Sequence, residues 1–69
     1  MKVKQFRKLL TKQGFECVDN GKGFWVRQAG CSGQVQIHNT PSDHRWLKNS
    51  VRDMTNVGMQ TDALKRALR

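Results

Sequence analysis

The chain has 69 residues, which predict one domain, residues 1–69, with a core near the lower size limit for independent stability. It contains no apolar run long enough to span a membrane, and its basic start lacks the apolar segment of a signal peptide, so we expect a soluble, cytoplasmic protein with no membrane partner. Thirteen lysines and arginines against five acidic residues give a net charge of +8, and a field of this sign attracts polyanions, most commonly nucleic acid.

Residues 2–13 are predicted to form the first helix, and Gly14 follows directly, as is typical of a helix end. One side of the helical wheel is apolar and contains Val3, Phe6, Leu9 and Leu10. The other side is either a solvated face or a binding surface. The helix has no acidic residue to form i,i+4 ion pairs, which favours binding. We therefore assign four of its residues to a nucleic-acid interface: Lys4, Arg7, Lys8 and Lys12.

Three short segments rich in β-forming residues come next: Phe15–Val18, Phe24–Ala29 and Gln34–His38. The first turn contains Asn20-Gly21, a pair that accepts left-handed backbone, and the second turn contains two glycines. Loops this short connect antiparallel neighbours, so the sequence predicts a three-stranded meander. Lys22, in the first turn, joins the predicted interface.

Alternation along the strands predicts which side chains share a face. The inward residues of the second and third strands are predicted to be Phe24, Val26, Val35 and Ile37. Trp25 and Arg27 then point away from the helices, on the same side as His38, and this combination suits stacking on bases. In the alternative register Trp25 lies in the core and Phe24 at its rim, since most tryptophans of small domains are buried. The first register adds to the interface Trp25, Arg27 and His38.

The rest of the chain is predicted to be helical. A second helix covers about residues 43–57, capped by Ser42 or Asp43, and a short last helix is capped by Thr61 or Asp62. The buried stripe of the second helix is predicted to contain Trp46, Leu47, Ser50, Val51 and Met54. The last helix is predicted to pack through Ala63, Leu64, Ala67 and Leu68. The fold class is therefore α+β: helix, three-stranded antiparallel meander, helix, short C-terminal helix.

The sequence offers little for metal binding or catalysis. The candidate metal ligands are Cys17, Cys31, His38 and His44. They lack the close ligand pair that structural zinc usually requires, so we expect no metal and no cofactor. Two cysteines do not make a disulfide framework, which fits a reducing compartment. His38 remains as a candidate acid–base residue, because imidazole titrates near neutral pH.

The order of the elements resembles the HicA-like (YcfA-like) family of toxin–antitoxin systems. The likeness is carried by MKVKQFRKLL at 1–10 with QGF at 13–15, by NGKGF at 20–24, and by VGM followed by TD within 57–62. It covers nearly the whole chain through short motifs. The resemblance implies a fold like that of double-stranded-RNA-binding domains, ribonuclease activity on messenger RNA, and a protein antitoxin as partner.

The sequence departs from the family pattern at its histidine. The family places that imidazole within the turn and strand start at 21–24, where this chain has Lys22, Gly23 and Phe24. We therefore predict a small basic protein that binds RNA without cleaving it. One alternative is an active messenger-RNA interferase, neutralised by an antitoxin, with His38 in the imidazole role. The other is a protein-binding module or inhibitor that acts on an acidic partner.

Overall fold

The computed structural model describes residues 1–68 and confirms the predicted α+β order. The elements are α1 Val3–Lys12, β1 Glu16–Asp19, β2 Gly23–Arg27, β3 Gln34–His38, α2 Trp46–Asn56 and α3 Asp62–Ala67. The elements form two layers. The helices lie on one face of the sheet, and apolar side chains from both layers form the core between them. Within residues 1–68, no helix has both the length and the apolar character needed to cross a membrane.

The sheet is an antiparallel meander in the order β1-β2-β3, so β2 is paired on both sides. The turn between β1 and β2 is held by Asn20. Its Oδ1 accepts the backbone N–H of Lys22 at 3.2 Å and that of Gly23 at 2.9 Å. Gly21 completes the turn with a φ of +86°, a left-handed conformation that side chains disfavour. The predicted turn is therefore confirmed.

Strands β1 and β2 are shifted from their predicted ranges: β1 covers Glu16–Asp19 rather than Phe15–Val18, and β2 covers Gly23–Arg27 rather than Phe24–Ala29. Strand β2 ends at Arg27 rather than at Ala29, because the next side chain binds another segment. Gln28 donates from Nε2 to the Gln60 carbonyl at 3.2 Å and accepts the Gln60 N–H on Oε1 at 2.7 Å. Phe15 was expected to begin the first strand, but it precedes β1 and is buried in the core. Both differences arise from contacts between distant parts of the chain.

The helices cover one face of the sheet, as the alternation predicted. Phe24 and Val26 are fully buried, whereas Trp25 between them points to the other face and is only partly buried. The alternative register with Trp25 in the core is therefore wrong. Full burial of a large apolar side chain contributes about 1.5 to 3 kcal/mol, so the stability of the domain comes from this side. The core contains Phe6, Leu10, Phe15, Phe24, Val26, Val35, Ile37, Val51, Met54, Met59 and Leu64.

Helix α2 begins at Trp46, about three residues later than predicted, and neither Ser42 nor Asp43 caps it. Asp43 instead closes a turn before the helix. Its Oδ1 accepts the N–H of Arg45 at 2.9 Å, and its carbonyl accepts the N–H of Trp46 at 3.1 Å. This local bonding competes with a helical turn at the same residues. The predicted stripe of α2 is confirmed by the burial of Ser50, Val51 and Met54.

Helix α3 packs through fewer residues than predicted. Leu64 is buried, but Ala63 and Ala67 are exposed, because a six-residue helix turns only one side toward the core. Thr61 occupies the N-cap position without donating or accepting a side-chain cap bond. Its hydroxyl hydrogen-bonds instead to the hydroxyl of Thr55 at 2.8 Å. This contact joins the end of α2 to the start of α3.

Candidate nucleic-acid interface

The predicted interface residues are divided between the two sides of the sheet. One group lies along α1, on the side that the helices cover, and we call it the helix surface: Lys4, Lys8 and Lys12. Three other predicted residues, Trp25, Arg27 and His38, lie on the side that no helix of residues 1–68 covers. With their neighbours Val18 and Gln36, which were not predicted, they form what we call the outer sheet face. The structure therefore does not gather all of the predicted residues into one site.

The helix surface is uniformly basic because α1 contains no Asp or Glu. Its three lysines are all exposed and stand four residues apart, so they follow one stripe with a rise of about 6 Å from each to the next. Phe6 and Leu10, on the opposite side of the helix, are fully buried. The packing of that side holds the lysines on a rigid support.

Arg7 is partly withdrawn from the helix surface by an ion pair with Asp19. Both terminal nitrogens of Arg7 donate to the two carboxylate oxygens, with a distance of 3.1 Å from Nη2 to Oδ2. The hydrogen bonds from Arg7 lower the pKa of Asp19, and the same contacts raise the pKa of Arg7. The guanidinium also lies 5.2 Å from the centroid of the Phe24 ring. Arg7 therefore ties α1 to β1, and only part of its surface is left for a ligand.

Basic side chains from separate segments meet at one end of the molecule. The backbone N–H of Asn39 donates to the Lys22 carbonyl at 3.1 Å, which links the β1–β2 turn to the segment after β3. Asn39 also lines an open cleft of about 490 Å³ together with Lys2, Lys4 and Trp46. We call this region the turn end and define its basic residues as Lys2, Lys4, Lys22 and His38.

The outer sheet face carries an aromatic ring beside a mixed set of polar groups. Trp25 lies opposite Val18 in the register of β1 and β2, and its side chain is half-buried. Arg27 donates from Nε to Oε1 of Gln34 at 2.8 Å. Glu16 lies opposite Arg27, so a carboxylate offsets the positive charge at this corner. This face therefore carries an aromatic ring in surroundings of moderate charge rather than a strongly basic surface.

His38 lies directly across from Gly23 in the register of β2 and β3, and it is exposed. A Cβ placed on Gly23 would lie 1.9 Å from the carbonyl oxygen of Ile37, so only glycine fits there without movement of β3. A histidine at that position would separate the two strands. His38 thus belongs to β3, the neighbour of β2. The HicA resemblance instead implies a histidine in the turn and strand start at 21–24.

The two cysteines contact different elements. Cys17 is half-buried beside Thr11 of α1, and burial raises the pKa of its thiol. Cys31 is also half-buried, and its Sγ lies 3.2 Å from the carbonyl oxygen of Val57. Among residues 1–68, no group of three His, Cys, Asp or Glu side chains is arranged to hold a metal ion.

A concave surface between α2 and α3 was not among the sequence predictions. It is an open groove of about 880 Å³ whose basic residues are Arg45, Lys48, Arg52 and Lys65. The first three stand at i, i+3 and i+7, a spacing that places them along one stripe of α2. That spacing is visible in the sequence, but the contribution of α3 to the other wall is not.

The arrangement as a whole offers cations for phosphates at the helix surface and turn end, a ring for stacking on the outer sheet face, and one exposed imidazole between them. The HicA resemblance remains an expectation drawn from sequence motifs. Comparisons of this chain with protein-family models, with curated proteins and with solved structures find no match.

Proposed function

We propose that this protein binds RNA through the helix surface and the turn end, and that it does not cleave the RNA. One observation carries the proposal: α1 contains no Asp or Glu, and two carboxylates of other segments, Asp19 and Asp43, already accept hydrogen bonds within the protein. Asp19 is paired with Arg7. Asp43 accepts the Arg45 N–H at 2.9 Å and the Asn49 side-chain amide at 3.4 Å. Phosphates can therefore approach without a competing free carboxylate.

The physical basis is the release of counterions. Lys4, Lys8 and Lys12 keep their mutual spacing because α1 is packed against the core. Each phosphate that a lysine neutralises frees condensed cations from the nucleic acid, which favours binding and makes the affinity depend on salt. The preference for RNA over DNA is supported by the HicA resemblance, whose family acts on messenger RNA.

Trp25 supports the same proposal from the other side of the sheet. Its partly exposed indole can stack on an unpaired base, and such stacking tolerates any sequence. The molecule measures 29 × 27 × 21 Å, and Trp25 lies on the opposite side from the helix surface. A short rigid duplex cannot contact both, whereas a single strand that passes His38 at the turn end can. Single-stranded RNA is therefore the preferred ligand in this proposal.

Binding without cleavage follows from the ionisable groups of the β1–β2 turn. Lys22 is the ionisable side chain in this turn. A lysine ammonium has three donors and no acceptor, so it holds a phosphate but cannot take the proton of a ribose 2′-hydroxyl. Ribonuclease chemistry of the kind that the resemblance implies therefore lacks its base at this position.

The test is a titration of fluorescently labelled single-stranded RNA, duplex RNA and DNA at several salt concentrations. Four or five phosphate contacts predict a slope of log K against log salt of about −3 to −4.5. Replacing Lys4 and Lys8 together by Glu should lower both the affinity and the slope. The matched double variant Lys48→Glu with Arg52→Glu makes the same change of charge on α2 and should affect RNA binding little. Equal losses in the two variants, or an affinity that ignores salt, would contradict the proposal.

A second candidate function is RNA cleavage with His38 as the acid–base residue. It is favoured by a single observation: the exposed His38 pairs with Gly23, a residue of the segment 21–24 in which the resemblance leads us to expect the family's histidine. Incubating purified protein with RNA distinguishes the two candidates. The binding proposal expects intact RNA. The nuclease candidate expects cleavage that is lost in His38→Ala and retained in His44→Ala, a change at the other exposed histidine.

A further inference from the structure

The groove between α2 and α3 combines a basic rim with an apolar floor. Its rim is formed by Arg45 at the N-cap of α2, by Lys48 and Arg52 within α2, and by Lys65 from α3. All four side chains are exposed. Among residues 1–68, no Asp or Glu lines the groove. Positive charge from two helices is therefore concentrated around one open concavity.

The carboxylates beside the α2 side of this rim neutralise it only in part. Asp53 lies beside Arg52, with 3.8 Å between Oδ1 and Nε, and both side chains are largely exposed. An exposed pair at this distance contributes little and is easily exchanged for another partner. Asp43 accepts hydrogen bonds from the Arg45 N–H and from Asn49 before the helix begins. The rim keeps a net positive charge.

Three apolar side chains line the groove beside the polar residues Asn49, Thr55 and Asn56, and we call these three its floor. Leu47 and Val51 stand one helical turn apart on α2, and Leu68 follows α3 on the other wall. Leu47 and Leu68 are half-buried, so part of each side chain stays open to a ligand. Removing such surface from water favours association. The groove therefore offers a ligand an apolar surface bordered by positive charge.

We propose that this groove binds an acidic amphipathic helix of a partner protein. Apolar side chains at i, i+3 and i+4 of such a helix fill the floor, and its flanking carboxylates contact the basic rim. Helix α2 has 11 residues and is about 16 Å long, which matches about three turns of a bound helix. The proposal is independent of RNA binding, because it concerns other residues on another surface.

Charge complementarity argues against two other occupants. The helices of a second copy of this chain are basic, and α1 has no acidic residue at all, so they would be repelled by the rim. A nucleic acid would satisfy the rim but would place polar sugars and phosphates over the leucines of the floor. An acidic helix satisfies both parts of the groove.

The probe is a labelled synthetic peptide of leucines and glutamates with leucines spaced to form one helical face. Its control is a scrambled peptide of the same composition. In fluorescence anisotropy we expect the amphipathic peptide to bind about tenfold more tightly than the scrambled one. Two-dimensional amide NMR should show shifts in α2 and α3 and none in the middle of α1. Equal binding of the two peptides, or shifts centred on α1, would overturn the proposal.

Matched charge variants separate the groove from general attraction to a basic protein. Lys48→Glu with Arg52→Glu should weaken peptide binding about tenfold or more. Lys4→Glu with Lys8→Glu makes the same change of charge on α1 and should change peptide binding less than about twofold. Equal weakening by both variants would show attraction without a site. A larger loss of RNA affinity than of peptide affinity in the α2 variant would show that the groove binds nucleic acid.

The floor is tested separately. Leu68→Ala shortens the apolar side chain that follows α3. It should weaken the binding of the amphipathic peptide but not that of the scrambled one. Circular dichroism of each variant confirms that it is folded before the titration. Unchanged peptide affinity in a folded Leu68→Ala protein would contradict an apolar contribution to binding.

Discussion

The two faces of the sheet use neighbouring residues of the same strand for opposite purposes. In β2, Phe24 and Val26 are fully buried under the helices, while Trp25 and Arg27 lie on the outer sheet face. The buried face has few polar atoms and supplies the core. The outer face keeps a partly exposed ring and hydrogen-bonding groups, which we propose for RNA binding. The difference shows that strand alternation, rather than residue type, decides which side chain enters the core, since the larger aromatic residue is the one left outside.

The comparison extends to the ends of the strand. Gly23 has no space for a Cβ because the Ile37 carbonyl of β3 approaches it. On the buried side, the guanidinium of Arg7 lies over the ring of Phe24. Its ion pair with Asp19 links α1 to β1 at the edge of the core. The inner face therefore tolerates little change, and the outer face beyond Gly23 tolerates more. The predictions below test this contrast.

The largest effect is expected on the inner face. Phe24→Ala removes a fully buried ring and should lower the free energy of unfolding by about 3 to 5 kcal/mol. A domain of about 70 residues rarely has more than about 3 to 5 kcal/mol of stability, so this loss is comparable with the whole and a large fraction of the variant should be unfolded. Trp25→Ala, one residue further, should cost about 1 kcal/mol or less. Urea denaturation followed by circular dichroism measures both. A loss of 3 kcal/mol in Trp25→Ala would contradict the contrast.

Gly23→Ala should be the next most damaging change. Its added methyl overlaps the backbone of β3, and the shift that relieves the overlap should cost about 2 to 3 kcal/mol. Gly21→Ala is the control, because a Cβ there contacts nothing within 4 Å and the cost comes only from the positive φ, about 1 to 2 kcal/mol. Urea denaturation of the two variants should rank them in that order. A smaller loss in Gly23→Ala would mean that β2 and β3 separate easily.

On the outer face, Trp25 should affect binding more than stability. Trp25→Ala should weaken the binding of single-stranded RNA by about 1 to 3 kcal/mol and leave the binding of duplex RNA nearly unchanged. Trp25→Phe keeps an aromatic ring and should retain part of the affinity. Anisotropy titrations with both RNAs measure the difference. Equal losses for single strand and duplex would indicate that Trp25 does not stack on bases.

The smallest effect concerns the ion pair at the edge of the inner face. Because Arg7 lowers the pKa of Asp19, the pair stabilises the folded state above the ordinary carboxyl pKa of about 4. As the pH falls through the lowered value, the folded carboxylate is protonated and the stabilisation is lost. Asp19 is exposed, so the effect is small. Asp19→Asn should flatten the fall in stability between about pH 5 and 3.

The control for this change is Glu16→Gln, which removes an exposed carboxylate from the same strand. Denaturation midpoints across this range should keep the wild-type slope in the Glu16 variant. The same slope in wild type and Asp19→Asn would show that the ion pair does not form in solution.

Local patterns in the sequence determined the elements and the inward side of each. The apolar stripe of α1, the Asn20-Gly21 turn and the alternation of Phe24 with Trp25 all act within one turn of helix or one short strand. Such signals correctly predicted the α+β order, the meander and the inward position of Phe24, Val26, Val35 and Ile37, but not the burial of Met59. These signals failed at the start of α2, where the Asp43 side chain accepts a backbone hydrogen bond within its own turn. They also failed at Ala63 and Ala67, which have the spacing of packing residues but are exposed because α3 is too short to be enclosed.

Only the tertiary structure decided which distant residues meet. Arg7 pairs with Asp19 across twelve positions, His38 lies opposite Gly23, and the walls of the groove come from α2 and α3. The sequence placed each of these residues on its element, but their contacts depend on strand register and on how the helices pack over the sheet. Those depend on the whole core at once, because a side chain can bind only what the packing of other segments brings within reach. For this reason the sequence predicted that the basic residues of α1 share one side of the helix. It did not predict the ion pair of Arg7 with Asp19, and it did not predict the groove.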